Sequence, residues 1–229
     1  AAFHPAREDY VARVEAVRGR IREGDVYQVN YTGRVRFGFE GSAAAFYRDL
    51  RRAQRVPYGV FANAGDLCLL GCSPELFFRR DGDRVVTRPM KGTVRRGRTL
   101  AEDASLRAWL EADEKSRAEN LMIVVLLRND LSRCCRTGSI RVPDLFTTER
   151  YETVWQLTST VEGVLRPGVS YEDLFRALFP CGSVTGAPKI RAMQRIAALE
   201  AEPRGVYCGT VGYVAPGDRA VFNVAIRTA

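Results

Sequence analysis

Residues 76–80 and 84–88 are two short strand-like runs separated by Asp81-Gly82-Asp83, and that order of strand, glycine turn and strand constrains the chain more than any other stretch. It predicts an antiparallel hairpin. Glu75 stands just before the first run and Lys91 just after the second. A hairpin folding back between them brings its two ends side by side, so the geometry permits a Glu–Lys pair. The alternative is a pair of solvated charges at strand ends, an ordinary place for both residue types.

Lys91 asks for a reason of its own, because the chain holds only three lysines beside thirty-two arginines. Arginine serves for surface charge and for pairing with carboxylates, but it cannot give up its proton and so cannot act as nucleophile or base. In Arg88-Pro89-Met90-Lys91-Gly92-Thr93, proline stiffens the approach, glycine lets a ligand or another backbone come close, and threonine adds a hydroxyl. The stretch reads as a placed amine in a ligand-accessible turn.

The chemistry open to the chain is narrow. His4 is the single histidine, which excludes Ser-His-Asp and Cys-His catalysis and multi-histidine metal sites. Lysine, carboxylates and tyrosine are left for acid–base work. A length of 229 residues with 46% apolar and 27% charged residues fits one large globular domain or two small ones. No apolar run approaches the ~18 residues of a membrane span, and Ala1-Ala2-Phe3-His4-Pro5 does not read as a secretory leader. The six cysteines lack paired CxxC spacing, and Cys134-Cys135 are adjacent. They read as reduced thiols of a cytoplasmic protein. The net charge of +8 is spread over isolated arginine doublets, without the basic stripe or fold signature of a nucleic-acid binder. Small anionic substrates or an arginine-rich surface account for it as well.

Along the chain, residues 6–23 predict an amphipathic helix with Tyr10, Val11, Val14, Val17 and Ile21 on one face. Residues 26–39 alternate and predict one long strand, with Gln28 and Asn30 pointing away from its buried side. A helix over 42–53 capped by Ser42 leads into strands at 58–63 and 66–71. Helices follow over 100–110 and 113–133, and the seven apolar residues 121–127 predict that the middle of the second is buried all round. Glu119, beside that run, is either a core-edge carboxylate paired with Lys115 or a metal ligand. Residues 153–165 predict a strand and 171–179 a helix. The loop 181–189 opens a further helix and would offer free N–H groups to an anion, although its glycine spacing is not that of a Walker loop. Strands over 207–214 and 219–228 close the reading.

Seven blocks in order carry a resemblance: Asp25-Val26-Tyr27-Gln28-Val29-Asn30, Ser73-Pro74-Glu75, Pro89-Met90-Lys91-Gly92-Thr93, Arg117-Ala118-Glu119-Asn120-Leu121-Met122-Ile123-Val124, Arg128-Asn129-Asp130, Gly186-Ala187-Pro188-Lys189 and Ile226-Arg227-Thr228. Together they resemble the chorismate-utilising enzymes over nearly the whole chain. Within that family the likeness is to the aminodeoxychorismate synthase component I branch, because anthranilate synthases typically carry alanine where Lys91 stands.

The resemblance implies an α+β fold with two large, orthogonally packed antiparallel sheets flanked by helices. It implies one chorismate-binding catalytic domain over 1–229, with relatives continuing into a glycine-rich segment and glutamates that complete a metal site. Lys91 would attack ring C2 of chorismate as the C4 hydroxyl leaves, after which ammonia adds at C4 and expels the lysine. Glu75 would be the general acid and base, and Glu119 would bind the Mg²⁺ that holds the ring carboxylate. Gly92, Thr93, Ser183, Tyr207 and Arg227 match substrate-holding positions. A glutamine amidotransferase subunit or domain would supply the ammonia, with neither nucleic acid nor membrane as partner. The chain departs from the family at Val125, where an aspartate is usual, and at Gln156, where a histidine is common.

Overall fold

The computed structural model describes residues 1–229. A short strand β1 (Ala2–His4) and helix α1 (Arg7–Arg22) open the chain, followed by β2 (Gln28–Val29), β3 (Arg34–Arg36), α2 (Ala43–Ala53), β4 (Tyr58–Asn63) and β5 (Cys68–Ser73). The central hairpin is β6 (Leu76–Asp81) and β7 (Arg84–Arg88), and β8 (Met90–Arg95) follows after Pro89. Helices α3 (Leu100–Ala112) and α4 (Glu114–Ser132) lead to β9 (Arg141–Arg150) and β10 (Val154–Val164). The rest comprises α5 (Tyr171–Leu178), a 3₁₀ turn Gly182–Val184, β11 (Gly186–Ala187), α6 (Lys189–Leu199), β12 (Gly212–Ala215) and β13 (Arg219–Asn223).

The α+β class stands. One antiparallel sheet of seven strands runs β12-β13-β6-β7-β10-β8, with β9 paired to β10, and the pairs β1–β3, β2–β11 and β4–β5 form separate ribbons. Helix starts follow local capping chemistry. Ser42, Thr99, Asp113 and Ser170 each accept a backbone N–H of the first turn, and Ser170 with Asp173 completes a capping box. The core lies between one sheet face and helices α4 and α5. Phe77, Phe78, Val85 and Val161 of the strands meet Ile123, Leu127, Leu131, Leu174 and Leu178, and burying such side chains contributes about 1.5–3 kcal/mol each.

The hairpin forms as its spacing requires, with Arg80 opposite Val85. Beyond it the chain stays beside β10: Thr87 faces Val161 and Met90 faces Thr158. β7 and β8 are therefore one edge interrupted at Pro89, which has no N–H to give to the ladder. Between Met90–Thr158 and Thr93–Gln156 the register shifts, so Lys91 and Gly92 together oppose the single residue Leu157. This is a β-bulge, a device that re-aims a side chain. Gly92 adopts φ +94, and a Cβ there would lie 2.7 Å from Cβ of Ser116 on α4. The close approach that its glycine permits is thus made by the chain's own helix.

Four expectations are corrected. Residues 26–39 are not one strand but two short pieces, and Tyr27, Val35, Phe37 and Phe39 are exposed. The alternation is broken because the backbone of Asn30 bonds to loop groups, its N–H to the Thr185 carbonyl and its C=O to Arg204. α1 forms, yet only Val17 of its apolar face is fully buried. α4 is buried on one side only: Ile123, Val124 and Leu127 face the core while Leu121 and Val125 face outward. Strand 207–214 begins only at Gly212, leaving Tyr207 in a turn. β9 has no counterpart in the sequence reading, because Pro143, Asp144 and the flanking arginines hide its alternation, and β10 supplies its ladder.

Candidate active site

The residue after β2 and the 3₁₀ turn meet β8 at Lys91. The bulge in β8 turns its side chain toward the 3₁₀ turn after α5, where Nζ donates to the Ser183 carbonyl at 2.9 Å and to Asn30 Oδ1 at 3.2 Å. Lysine can only donate, which fixes the oxygen of the Asn30 amide on the Lys91 side. Burial holds the amine below its ordinary proton affinity, against Glu75, Glu119 and Cys181, which favour the charged form.

Glu75 sits between β5 and β6 and is 3% exposed. Its backbone N–H is fixed by the Ser73 hydroxyl and its carbonyl accepts from Val224. Burial raises its carboxyl to about 7, while the neighbouring Ser183 hydroxyl, the Lys91 charge and the Met90 amide work in the other direction. A carboxyl poised there gives and takes a proton near neutrality. Glu75 and Lys91 come close enough to influence one another's charge, but they form no ion pair within 4 Å: Lys91 Nζ bonds to Asn30 and Ser183 instead, and Glu75 Oε1 has no partner.

Ser183 connects the two. Its backbone oxygen holds Lys91, its hydroxyl side faces Glu75, and Oγ lies 3.2 Å from Cys181 Sγ, a buried thiol pushed up to about 12 by burial. The loop that presents it is locked from below. Gly186 (φ +146) lets β11 pass so close to β2 that a Cβ would collide with the Gln28 carbonyl. Arg204 donates to the Val184 and Asn30 carbonyls, both at 2.7 Å, and is itself paired with Glu200. Lys189 donates to Asp130 Oδ2 at 2.5 Å and to the Leu178 carbonyl at 2.6 Å. Its charge is therefore spent on α4, and the anion-binding reading of this loop rests on backbone N–H groups alone.

Of the five buried polar atoms without a partner, Glu75 Oε1 and Asn30 Nδ2 belong to residues that act on the Lys91 amine; the others are on Gln28, Arg88 and Tyr171. Leaving such atoms unpaired costs about 1–3 kcal/mol each. The two beside the amine point to a polar ligand. Asn30, Ser183 and Tyr207 also line a cavity of about 410 Å³ whose other wall is α1, through Tyr10, Val14 and Val17; neither Lys91 nor Glu75 lines it.

The remaining predicted residues are placed as follows. Thr93, two residues along β8 from Lys91, donates to Gln156 Oε1 at 2.8 Å, so Gln156 reaches the same strand edge as the amine. Tyr207 is half-buried. Arg227 is exposed with φ 51, and its carbonyl accepts from Cys72, which puts it on the β5 side of Glu75. Glu119, on α4, lies 3.8 Å from Lys115, so the ion pair anticipated from the sequence is present. Asn30, Arg204 and Cys181 are the functional neighbours that sequence reasoning left without a role. For Asn30 the signal was its place in the first block of the resemblance.

The chain matches the family profile described as chorismate binding enzyme over residues 2–229. It is 44% identical over 223 residues to anthranilate synthase component 1 of Aquifex aeolicus, covering 97% of this chain and 45% of that protein. It is 45% identical over 220 residues to aminodeoxychorismate synthase of Streptomyces pristinaespiralis, covering 96% of this chain and 31% of that one. Among solved structures, anthranilate synthase component I from Streptococcus pneumoniae superposes with a TM-score of 0.91 at 38% identity, over 99% of this chain and 51% of that one. MenF, the menaquinone-specific isochorismate synthase of Escherichia coli, gives 0.85 at 26% identity, over 100% and 53%. The chain spans about half or less of the length of these relatives. No helix is long and apolar enough to cross a membrane. With the family model matching from residue 2 to residue 229, the chain belongs to the chorismate-binding enzymes.

Proposed function

We propose that residues 1–229 are a chorismate-binding catalytic domain of an aminodeoxychorismate synthase component I. The protein converts chorismate and ammonia to 4-amino-4-deoxychorismate and water, on the route to p-aminobenzoate and folate in the cytoplasm. A partner amidotransferase, subunit or domain, delivers the ammonia from glutamine. The observation that carries this reading is the Lys91 amine, held by Ser183 and Asn30 beside the buried Glu75 carboxyl.

The resemblance to the chorismate-utilising enzymes supplies the roles, and the burial of both groups supports them. An ammonium has no lone pair, so Lys91 must lose a proton before it can attack, and burial lowers the cost of that loss. Glu75, raised to about 7, takes the proton and then returns it to the departing C4 hydroxyl as water leaves. Lys91 bonds to ring C2 in that step. Ammonia then bonds to C4, the C2–N bond breaks, and the amine is regenerated. Gly92, Thr93, Ser183, Tyr207 and Arg227 hold the substrate in this reading, with Arg227 and Tyr207 at its enolpyruvyl side.

In this reading Glu119 would be the one carboxylate to hold the metal, since no group of three acidic, cysteine or histidine side chains is present. That fits Mg²⁺, which keeps several waters and accepts one or two carboxylates together with substrate oxygens. The ion, when bound, neutralises the ring carboxylate of the substrate.

Product analysis of the intact protein with chorismate, Mg²⁺ and ammonium tests the assignment. The expected product is 4-amino-4-deoxychorismate. Anthranilate or an aminodeoxyisochorismate would overturn it.

A further inference from the structure

Asn30 is held more firmly than a loop residue needs to be. Its N–H donates to the Thr185 carbonyl at 2.8 Å, and its own carbonyl takes a 2.7 Å bond from Arg204, whose other arm holds the Val184 carbonyl. The β2–β11 ladder beneath it pairs Val29 with Gly186. Asn30 and Ser183 are thereby fixed to one another through backbone, and both reach the same nitrogen of Lys91. On the far side of the amide, Nδ2 is buried without a partner.

That arrangement specifies a direction. A lysine ammonium has three N–H groups, and two are taken by the Asn30 and Ser183 oxygens. We propose that Asn30 is a positioning residue for the Lys91 amine: with the Ser183 carbonyl it holds two N–H groups of the neutral amine, so that the lone pair left when the third proton passes to Glu75 has one orientation. Its unpartnered Nδ2 donates to an oxygen of the bound substrate. This rests on Lys91 acting as the nucleophile proposed above. The alignment matters because a displaced attacking atom loses rate without losing affinity.

The electrostatic consequence has a sign. Acceptors favour the ammonium over the neutral amine, so removing Oδ1 should make Lys91 easier to deprotonate, and replacing the amide by a carboxylate should make it harder. The other groups facing Lys91 are Glu75, Glu119 from α4 and Cys181 from the loop after α5, and the variants leave these three unchanged.

The experiment is the pH dependence of Lys91 carbamylation by cyanate in the intact protein without substrate, read by peptide mass spectrometry in wild type, Asn30→Val and Asn30→Asp. Asn30→Val should move the half-reaction point to lower pH. Asn30→Asp should move it up by about one unit, a tenfold loss of neutral amine at fixed pH. In turnover both variants should lose at least about tenfold in kcat, and the change in KM should be the smaller for Asn30→Val. A side chain that merely supports the fold would not move the two profiles in opposite directions. Unchanged profiles, shifts of the same sign, or an unaltered kcat would each overturn the proposal. Because the labelling uses no substrate, opposite shifts beside an unexpected reaction product would leave the Asn30–Lys91 pairing standing and remove only the assigned reaction.

Discussion

The Lys91 amine donates to the Ser183 carbonyl oxygen at 2.9 Å, which ties the bulged strand β8 to the loop ahead of α6. The nucleophile of the proposed reaction is thus located by a loop 92 residues away in sequence. Whatever stiffens that loop sets the geometry of the amine. Glu75 meets the same loop through the Ser183 hydroxyl, so one turn of chain touches both partners of the proposed proton transfer.

Glu75 should make stability fall as pH rises. Its folded carboxyl titrates near 7 against an ordinary value of 4.5, so between those values the native state keeps a proton that the unfolded chain has released. The cost of ionising it in place grows through that window and is complete above 7, on the order of 3 kcal/mol. Glu75→Gln removes the titration. Denaturant unfolding of the intact protein at pH 5 and pH 8 should show a smaller loss of stability in the variant than in wild type. Parallel losses would contradict the assigned burial.

Lys189 and Asp130 form a nearly buried pair at 2.5 Å that joins α4 to α6. Lys189→Met should leave the Asp130 carboxylate buried and unpaired, at a cost of about 3–5 kcal/mol. Lys189→Met combined with Asp130→Leu should recover most of that, because the stranded charge is gone. Urea midpoints of the two variants check this. A single variant as stable as wild type would show that the pair contributes nothing to the loop.

Gly186→Ala should be among the more damaging single-methyl additions. Its Cβ would collide with the Gln28 carbonyl, which is backbone and cannot turn aside, and its φ of +146 is one that alanine avoids. Separating β2 from β11 would move Asn30 away from Lys91. We expect a loss of about 2 kcal/mol or more in stability, and a Lys91 carbamylation profile shifted in the direction of Asn30→Val. A variant with wild-type unfolding and labelling would show that the ribbon does not set the site.

The hairpin around Gly82 and the isolated lysine were legible because both are local. A turn residue between two strand-like runs, and a lysine followed by glycine, are written within a few positions of sequence. Asn30 was not legible. The alternation of residues 26–39 assigned it to an outer face, whereas the deciding contacts come from Thr185, Arg204 and Lys91, and the last is 61 residues away. Burial around α4 failed for a related reason. Seven apolar residues in a row fix composition but not which sides meet a neighbour, and Leu121 and Val125 face outward. The bulge itself was half visible: Lys91-Gly92 announces an unusual backbone, but only the register of β10 shows that Leu157 opposes both residues.

The central claim is that Lys91 is a nucleophile whose proton passes to Glu75. Intact-protein mass spectrometry with chorismate and Mg²⁺ in the absence of ammonia tests it most directly. The account predicts an adduct that maps to Lys91, forms more slowly in Glu75→Gln, and is absent in both Lys91→Ala and Lys91→Arg, since a guanidinium keeps the charge without the nucleophile. An adduct on another residue, or one that forms equally fast in Glu75→Gln, would contradict it.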